Sequence, residues 1–202
     1  MRTGLSAFSL ATLLALAPSL GTAQTTDGTS DDTTANQSIE DQLSFGDGEV
    51  QVGQPYTSEV IGDWEMRCIK TEEGEDPCQM YQLLQDAEEQ PVAEFTLFRL
   101  PEGGRAMAGA TLIVPLETAL PNQVSISIDG QQPRRYPYAF CNPVGCYARI
   151  GLTPQDVDAY KAGNAATITI VPALAPDQQV ELTLSLRGFT ASFDQVSIIE
   201  QQ

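Results

Sequence analysis

The chain has no histidine and only two lysines, Lys70 and Lys161. Without an imidazole, neither a Ser-His-Asp relay nor a Cys-His pair can be built, and the commonest neutral metal ligand is missing. A Ser-Lys pair would have to use Lys70 or Lys161, and neither stands in a Ser-x-x-Lys context. Cationic charge is scarce overall: ten Lys plus Arg face 27 Asp plus Glu, for a net charge of −17. So acidic a chain repels nucleic acid and anionic lipid. No Cys-x-x-Cys redox motif occurs, and no segment after residue 20 is apolar enough to span a membrane. No cofactor and no metal are expected.

The N-terminus has the layout of a secretory signal. Arg2 supplies positive charge, Leu5 to Leu20 form a mostly apolar run broken by Ser, Thr and Pro, and Gly21-Thr22-Ala23 is a small-x-small site. Residues 1–23 are therefore expected to be removed after Ala23. Residues 24–55 read as an acidic linker. They carry Asp27, Asp31, Asp32, Glu40, Asp41, Asp47 and Glu49, no Lys or Arg, and too few large apolar residues to offset the entropy of ordering. Residues 56–202 are long enough for one folded domain with a real core.

The four cysteines, Cys68, Cys78, Cys141 and Cys146, form an even set in a chain expected to be exported, which predicts two disulfides. Three connectivities exist. The local pairs, Cys68 with Cys78 and Cys141 with Cys146, are favoured because each lies across a turn signal: Glu73-Gly74 in one loop and Asn142-Pro143-Val144-Gly145 in the other. Zinc is disfavoured by the spacings C-x9-C and C-x4-C.

From about Tyr56 the apolar residues recur with period two. Val124, Ile126 and Ile128 alternate with Ser125, Ser127 and Asp129, and Val180 to Leu186 alternate in the same way. These are half-buried strands with one wet face. Further strands are expected over 62–69, 78–84, 92–100, 107–114, 135–140, 146–150 and 166–171. Many short strands separated by Gly, Pro and Asn turns imply an all-β, antiparallel sandwich or barrel. One helix interrupts them. Thr153-Pro154-Gln155-Asp156 places an N-cap, a first-turn proline and an acid at the third position, and the helix should stop at Gly163. A second short turn is expected near 190–196.

Two groups could carry function. The acids Glu72, Glu73, Glu75 and Asp76, then Asp86, Glu88 and Glu89, could supply a carboxylate pair for hydrolysis. Their place beside Gly and Pro reads better as solvated loop charge. The segment Arg134-Arg135-Tyr136-Pro137-Tyr138-Ala139-Phe140 sets two of the few cations among three aromatics. As one strand it would put Tyr136, Tyr138 and Phe140 on one face. Arg134, Arg135, Tyr136 and Tyr138 are thus a candidate binding surface; the competing assignment is that the aromatic face lines the core. Trp64 has the same two readings, with the core favoured.

Several segments together resemble the invasion-associated locus B family. They are Gly62-Asp63-Trp64 with Cys68, Cys78-Gln79-Met80, Leu112-Ile113-Val114-Pro115-Leu116, Ile128-Asp129-Gly130, Tyr138 before Cys141, Gly145-Cys146, Tyr160-Lys161-Ala162-Gly163 and Leu186-Arg187-Gly188-Phe189-Thr190. The resemblance covers about Gly62 to Asp194. It implies an exported bacterial protein with an immunoglobulin-like β-sandwich, to which the residues above add one or two short helices, and no catalytic residues to transfer. The family is named for a member needed for invasion of host red cells, and similar proteins occur in free-living bacteria.

The expected function is a non-enzymatic periplasmic or surface-associated protein that binds another envelope component. The alternatives are an adhesin-like factor acting on host cells and a carboxylate-dependent hydrolase. Neither the partner nor the oligomeric state is encoded in any motif. N-terminal sequencing of exported protein should begin at Gln24, and a mature form that keeps Leu5 to Leu20 would refute the cleavage site.

Overall fold

The computed structural model describes residues 50–199. The signal segment 1–23 and all of the linker before residue 50 lie outside them. The described chain forms β1 (Pro55–Ile61), β2 (Trp64–Ile69), β3 (Cys78–Gln85), β4 (Pro91–Arg99), β5 (Ala108–Val114), β6 (Val124–Ile128), β7 (Arg134–Tyr136), β8 (Tyr138–Cys141) and β9 (Cys146–Leu152). Then follow α1 (Pro154–Ala162), β10 (Ala165–Ile170), β11 (Val180–Ser185) and α2 (Phe189–Gln195).

The strands assort into a seven-stranded sheet, β1-β2-β3-β4-β5-β9-β8, and a four-stranded sheet, β11-β10-β6-β7, with every pairing within them antiparallel. The result is an antiparallel β-sandwich. Its core follows from the period-two pattern: Met66, Met80, Phe95, Leu97 and Leu112 from the larger sheet face Ile126, Ile168, Leu182 and Leu184 from the smaller one in a single apolar cluster. Removing such side chains from water is the main favourable contribution to folding. Trp64 is fully buried. Its ring packs edge-on against Phe95 at 6.1 Å and Phe189 at 5.7 Å, and Phe189 in turn touches Tyr160 and Phe193. The two helices thus cover the aromatic end of the core.

Both disulfides are local: Cys68 bonds Cys78, and Cys141 bonds Cys146. In each case the two cysteines are directly paired across neighbouring strands, β2 with β3 and β8 with β9. Each closes a short loop and should stabilise by about 2–3 kcal/mol in the chain-entropy description. In the second loop the Asn142 side-chain oxygen accepts from the Val144 and Gly145 amides, which builds the reversal.

Helix α1 starts as its sequence implies. The Thr153 hydroxyl accepts from the Asp156 amide while the Asp156 carboxylate accepts from the Thr153 amide, a reciprocal capping box with Pro154 in the first turn.

The structure departs from expectation in three places. Strand β1 has no alternation to mark it in the sequence, because its exposure is nearly continuous and only Tyr56 and Ile61 are half-buried; an edge strand needs no alternation when both faces are wet. The expected strand 62–69 accordingly begins at Trp64, and Gly62-Asp63 is the turn between β1 and β2. The end of the 24–55 segment is also tied down, since the Gly53 amide donates to the Lys70 carbonyl and the Lys70 amide to that of Gln54. Backbone hydrogen bonding rather than burial orders it, and composition does not report that. Third, 135–140 is not one strand. Pro137 lacks an amide hydrogen and ends β7 in the smaller sheet, and β8 resumes in the larger one.

The sheets are joined at one end by backbone packing. Gly62 at φ +64° and Gly188 at φ +87° lie against each other. A methyl on Gly62 would overlap the Arg187 carbonyl, and one on Gly188 the Ile61 carbonyl. The Asp63 amide donates to the Arg187 carbonyl across this contact at 3.1 Å. Gln82 completes the joint: its amide nitrogen donates to the carbonyls of Asp63 and Ser185, both at 3.1 Å, and its oxygen accepts from the Ser185 amide at 2.7 Å. Gly62→Ala and Gly188→Ala should therefore each destabilise by about 3 kcal/mol or more, combining positive-φ strain with overlap. Urea unfolding measures this; an unchanged midpoint for both would show that the joint is dispensable.

Candidate functional site

The segment singled out from sequence is divided among three environments. Arg134 reaches α1, where its guanidinium meets the buried Asp156 carboxylate at 2.6 Å. Together with Tyr136 and Tyr160 it lines a cavity of about 150 Å³ between α1 and the smaller sheet. Arg135 points to the opposite face of that sheet. Tyr138, in the other sheet, packs against the core, and burial pushes its phenol up to about 12. Tyr136 also packs on the core. Phe140 is 43% exposed, stacks on Tyr147 at 4.6 Å and lies 5.3 Å from the Arg149 guanidinium. The four candidate residues thus do not form one surface, because the chain changes sheets at Pro137.

One acid of each cluster serves its turn. Asp76 accepts from the Tyr56 hydroxyl at 2.7 Å and from the Thr71 amide and hydroxyl at 2.8 Å, which holds its carboxyl far below the usual range. Asp86 accepts from the Glu88 and Gln90 amides in the β3–β4 turn. Among the described residues Asp156 is the one buried carboxylate, and it is engaged by Arg134 and the α1 cap.

Two of the segments that carry the family resemblance meet at the joint. Asp63 pairs with Arg187, whose Nε donates at 3.0 Å, and accepts from the Ser185 hydroxyl at 2.6 Å. Arg187 first and Ser185 second hold the Asp63 carboxyl at about 2, against an ordinary 3.8. The pairing closes the sandwich rather than presenting a reactive group.

A concavity among the described residues lies on the outer face of the smaller sheet, a trough of about 910 Å³. Its floor is the wet face of the period-two pattern: Ser125 and Ser127 from β6, Thr167 and Thr169 from β10, with Arg135 from β7 and Glu181 from β11. Hydrogen-bonding groups dominate it, and the rigid strands hold them at fixed spacing. Sequence reasoning found Arg135 and the alternating Ser125 and Ser127 and put Glu181 on the wet face of its own strand; it did not single out Thr167 or Thr169, and nothing in the sequence places Glu181 in the same row.

These features define a disulfide-braced antiparallel β-sandwich with one concave, polar outer face. The chain belongs to the family described as invasion associated locus B (IalB) protein, whose model matches residues 64–197. It is similar to the invasion protein B homologs of Brucella abortus strain 2308 and of Brucella abortus biovar 1 strain 9-941. Each is 26% identical over 147 residues, covering 73% of this chain and 83% of the relative. The crystal structure of invasion associated protein B from Bartonella henselae matches with a TM-score of 0.54 and 22% identity, over 66% of this chain and 91% of that one. This last likeness concerns the fold.

The Asp63 geometry sets an acid response. Its pKa is depressed in the folded state, so the stabilisation is present above about pH 4 and is lost as pH falls towards 2. Asp76 and Asp129, held low by hydrogen bonds, act in the same direction. The urea midpoint should fall between pH 4 and pH 2, and Asp63→Asn should flatten part of that fall. An identical pH profile for the variant would remove Asp63 from the account.

Proposed function

We propose that this chain is an exported, non-enzymatic protein of the bacterial envelope, periplasmic or surface-associated, that binds another envelope component through the trough on its smaller sheet. The trough is the observation that carries the reading: a wide, preformed, polar concavity on rigid strands suits recognition. Supporting it, two disulfides suit an oxidising compartment. No helix among the described residues is long and apolar enough to cross a membrane. A carboxylate-dependent hydrolase would need two acids flanking a cleft, one with a raised pKa. Against that, the buried Asp156 is held in an ion pair, and Asp63 and Asp76 are held low.

The name of the Brucella relatives favours a second reading, a factor that acts on host cells. It requires the mature protein to reach the outer surface or the medium, which fractionation decides.

The main reading is tested by pull-down from the native envelope with wild type and Arg135→Glu. A partner retained by wild type and lost by the folded variant is the expected result. The same partners in the same yield for both proteins would place binding elsewhere on the molecule.

A further inference from the structure

We infer that the trough takes a short extended peptide by both of its free termini, the carboxylate on Arg135 and the ammonium on Glu181. This rests on the trough being the binding surface. The first support is a single cross-strand row. Glu181 is paired with Thr169, Thr169 with Ser125, and Ser125 with Arg135. The row crosses the whole sheet, with a carboxylate at one edge, a guanidinium at the other and hydroxyls between. Neither charge has an ion-pair partner among the described residues, and both are exposed. At about 4.8 Å between strands, the backbones at the two ends of the row stand about 14 Å apart.

The second support is the extent of the trough. Gln123 and Gln179 line it at one end of the strands, and Gln131 and Pro133 at the other, so it spans all four strands and the charged row crosses it. A ligand lying along that row meets both charges.

The third support is chemistry and length. Among the described residues no aromatic ring lines the trough, so a sugar ring has no face to stack on. Hydroxyls and amides instead match the alternating N–H and C=O groups of an extended peptide. Such a chain advances about 3.5 Å per residue, so about four residues bridge 14 Å. A dipeptide reaches one charge only, and a hexapeptide must bow or release an end.

The test titrates the full chain with oligoalanines of two to six residues, read by calorimetry and by backbone amide shifts. Affinity should peak at four residues, with shifts confined to β6, β7, β10 and β11. Acetylating the N-terminus or amidating the C-terminus should each weaken tetraalanine by about fivefold, as expected of one partly exposed ion pair. Glu181→Gln should weaken tetraalanine and leave its N-acetyl form unchanged, and Arg135→Gln should do the same for the amidated form. Unfolding midpoints confirm that both variants fold.

Binding that ignores length or end-blocking overturns the inference. So does tetra-N-acetylchitotetraose shifting the same amides where tetraalanine does not, or a dimer formed through this face that Arg135→Glu dissociates. If Arg135→Glu loses the envelope partner but no oligoalanine binds, the trough remains the binding surface and the peptide assignment fails. If both experiments fail, both readings fall.

Discussion

At one end of the sandwich the backbones of two sheets touch, and the contact leaves no room for a side chain. Gly62 and Gly188 make that approach, each with positive φ and each facing the carbonyl that precedes the other. Peptide groups brought so close are cut off from water and must find partners. Gln82 and the Asp63 amide supply them. The core is organised from this point, because Trp64 follows Asp63 and Phe189 follows Gly188. Fixing the glycines fixes the two rings at 5.7 Å, and Phe95, Tyr160 and Phe193 pack around them.

The disulfides do a different job. Each staples adjacent strands, and both belong to the larger sheet. Neither crosses between sheets, in contrast to the inter-sheet bond of antibody domains. Cohesion between sheets therefore falls to apolar burial and to the Asp63, Gln82, Ser185 and Arg187 network. Reduction would therefore loosen hairpins but leave the burial that holds the layers together.

The distribution of charge bears on function in the same way. Of the acids flagged in the turns, Asp76 and Asp86 are engaged in local hydrogen bonds, and Arg134 is engaged by Asp156. Arg135 and Glu181 stand outside these pairings, on the outer face of the smaller sheet. With a net charge of −17 on the chain, an exposed guanidinium in a polar trough is a scarce feature and an obvious point for an anionic group to land.

By itself the sequence determined the class of fold and much of its local detail. Period-two runs such as Val124 to Ile128 can bury one face only as strands, the Thr153 to Asp156 cap can only open a helix, and turn residues between paired cysteines bring them within bonding reach. These are short-range consequences of backbone geometry. The tertiary structure decided which strands are neighbours. It made Pro55–Ile61 an edge strand despite its lack of alternation, and moved the chain between sheets at Pro137, which dispersed Arg134, Arg135, Tyr136 and Tyr138. It also set Glu181 in register with Arg135 through Thr169 and Ser125. Alternation tells which residues of one strand share a face, but strand order and register are settled by packing between segments far apart in the chain.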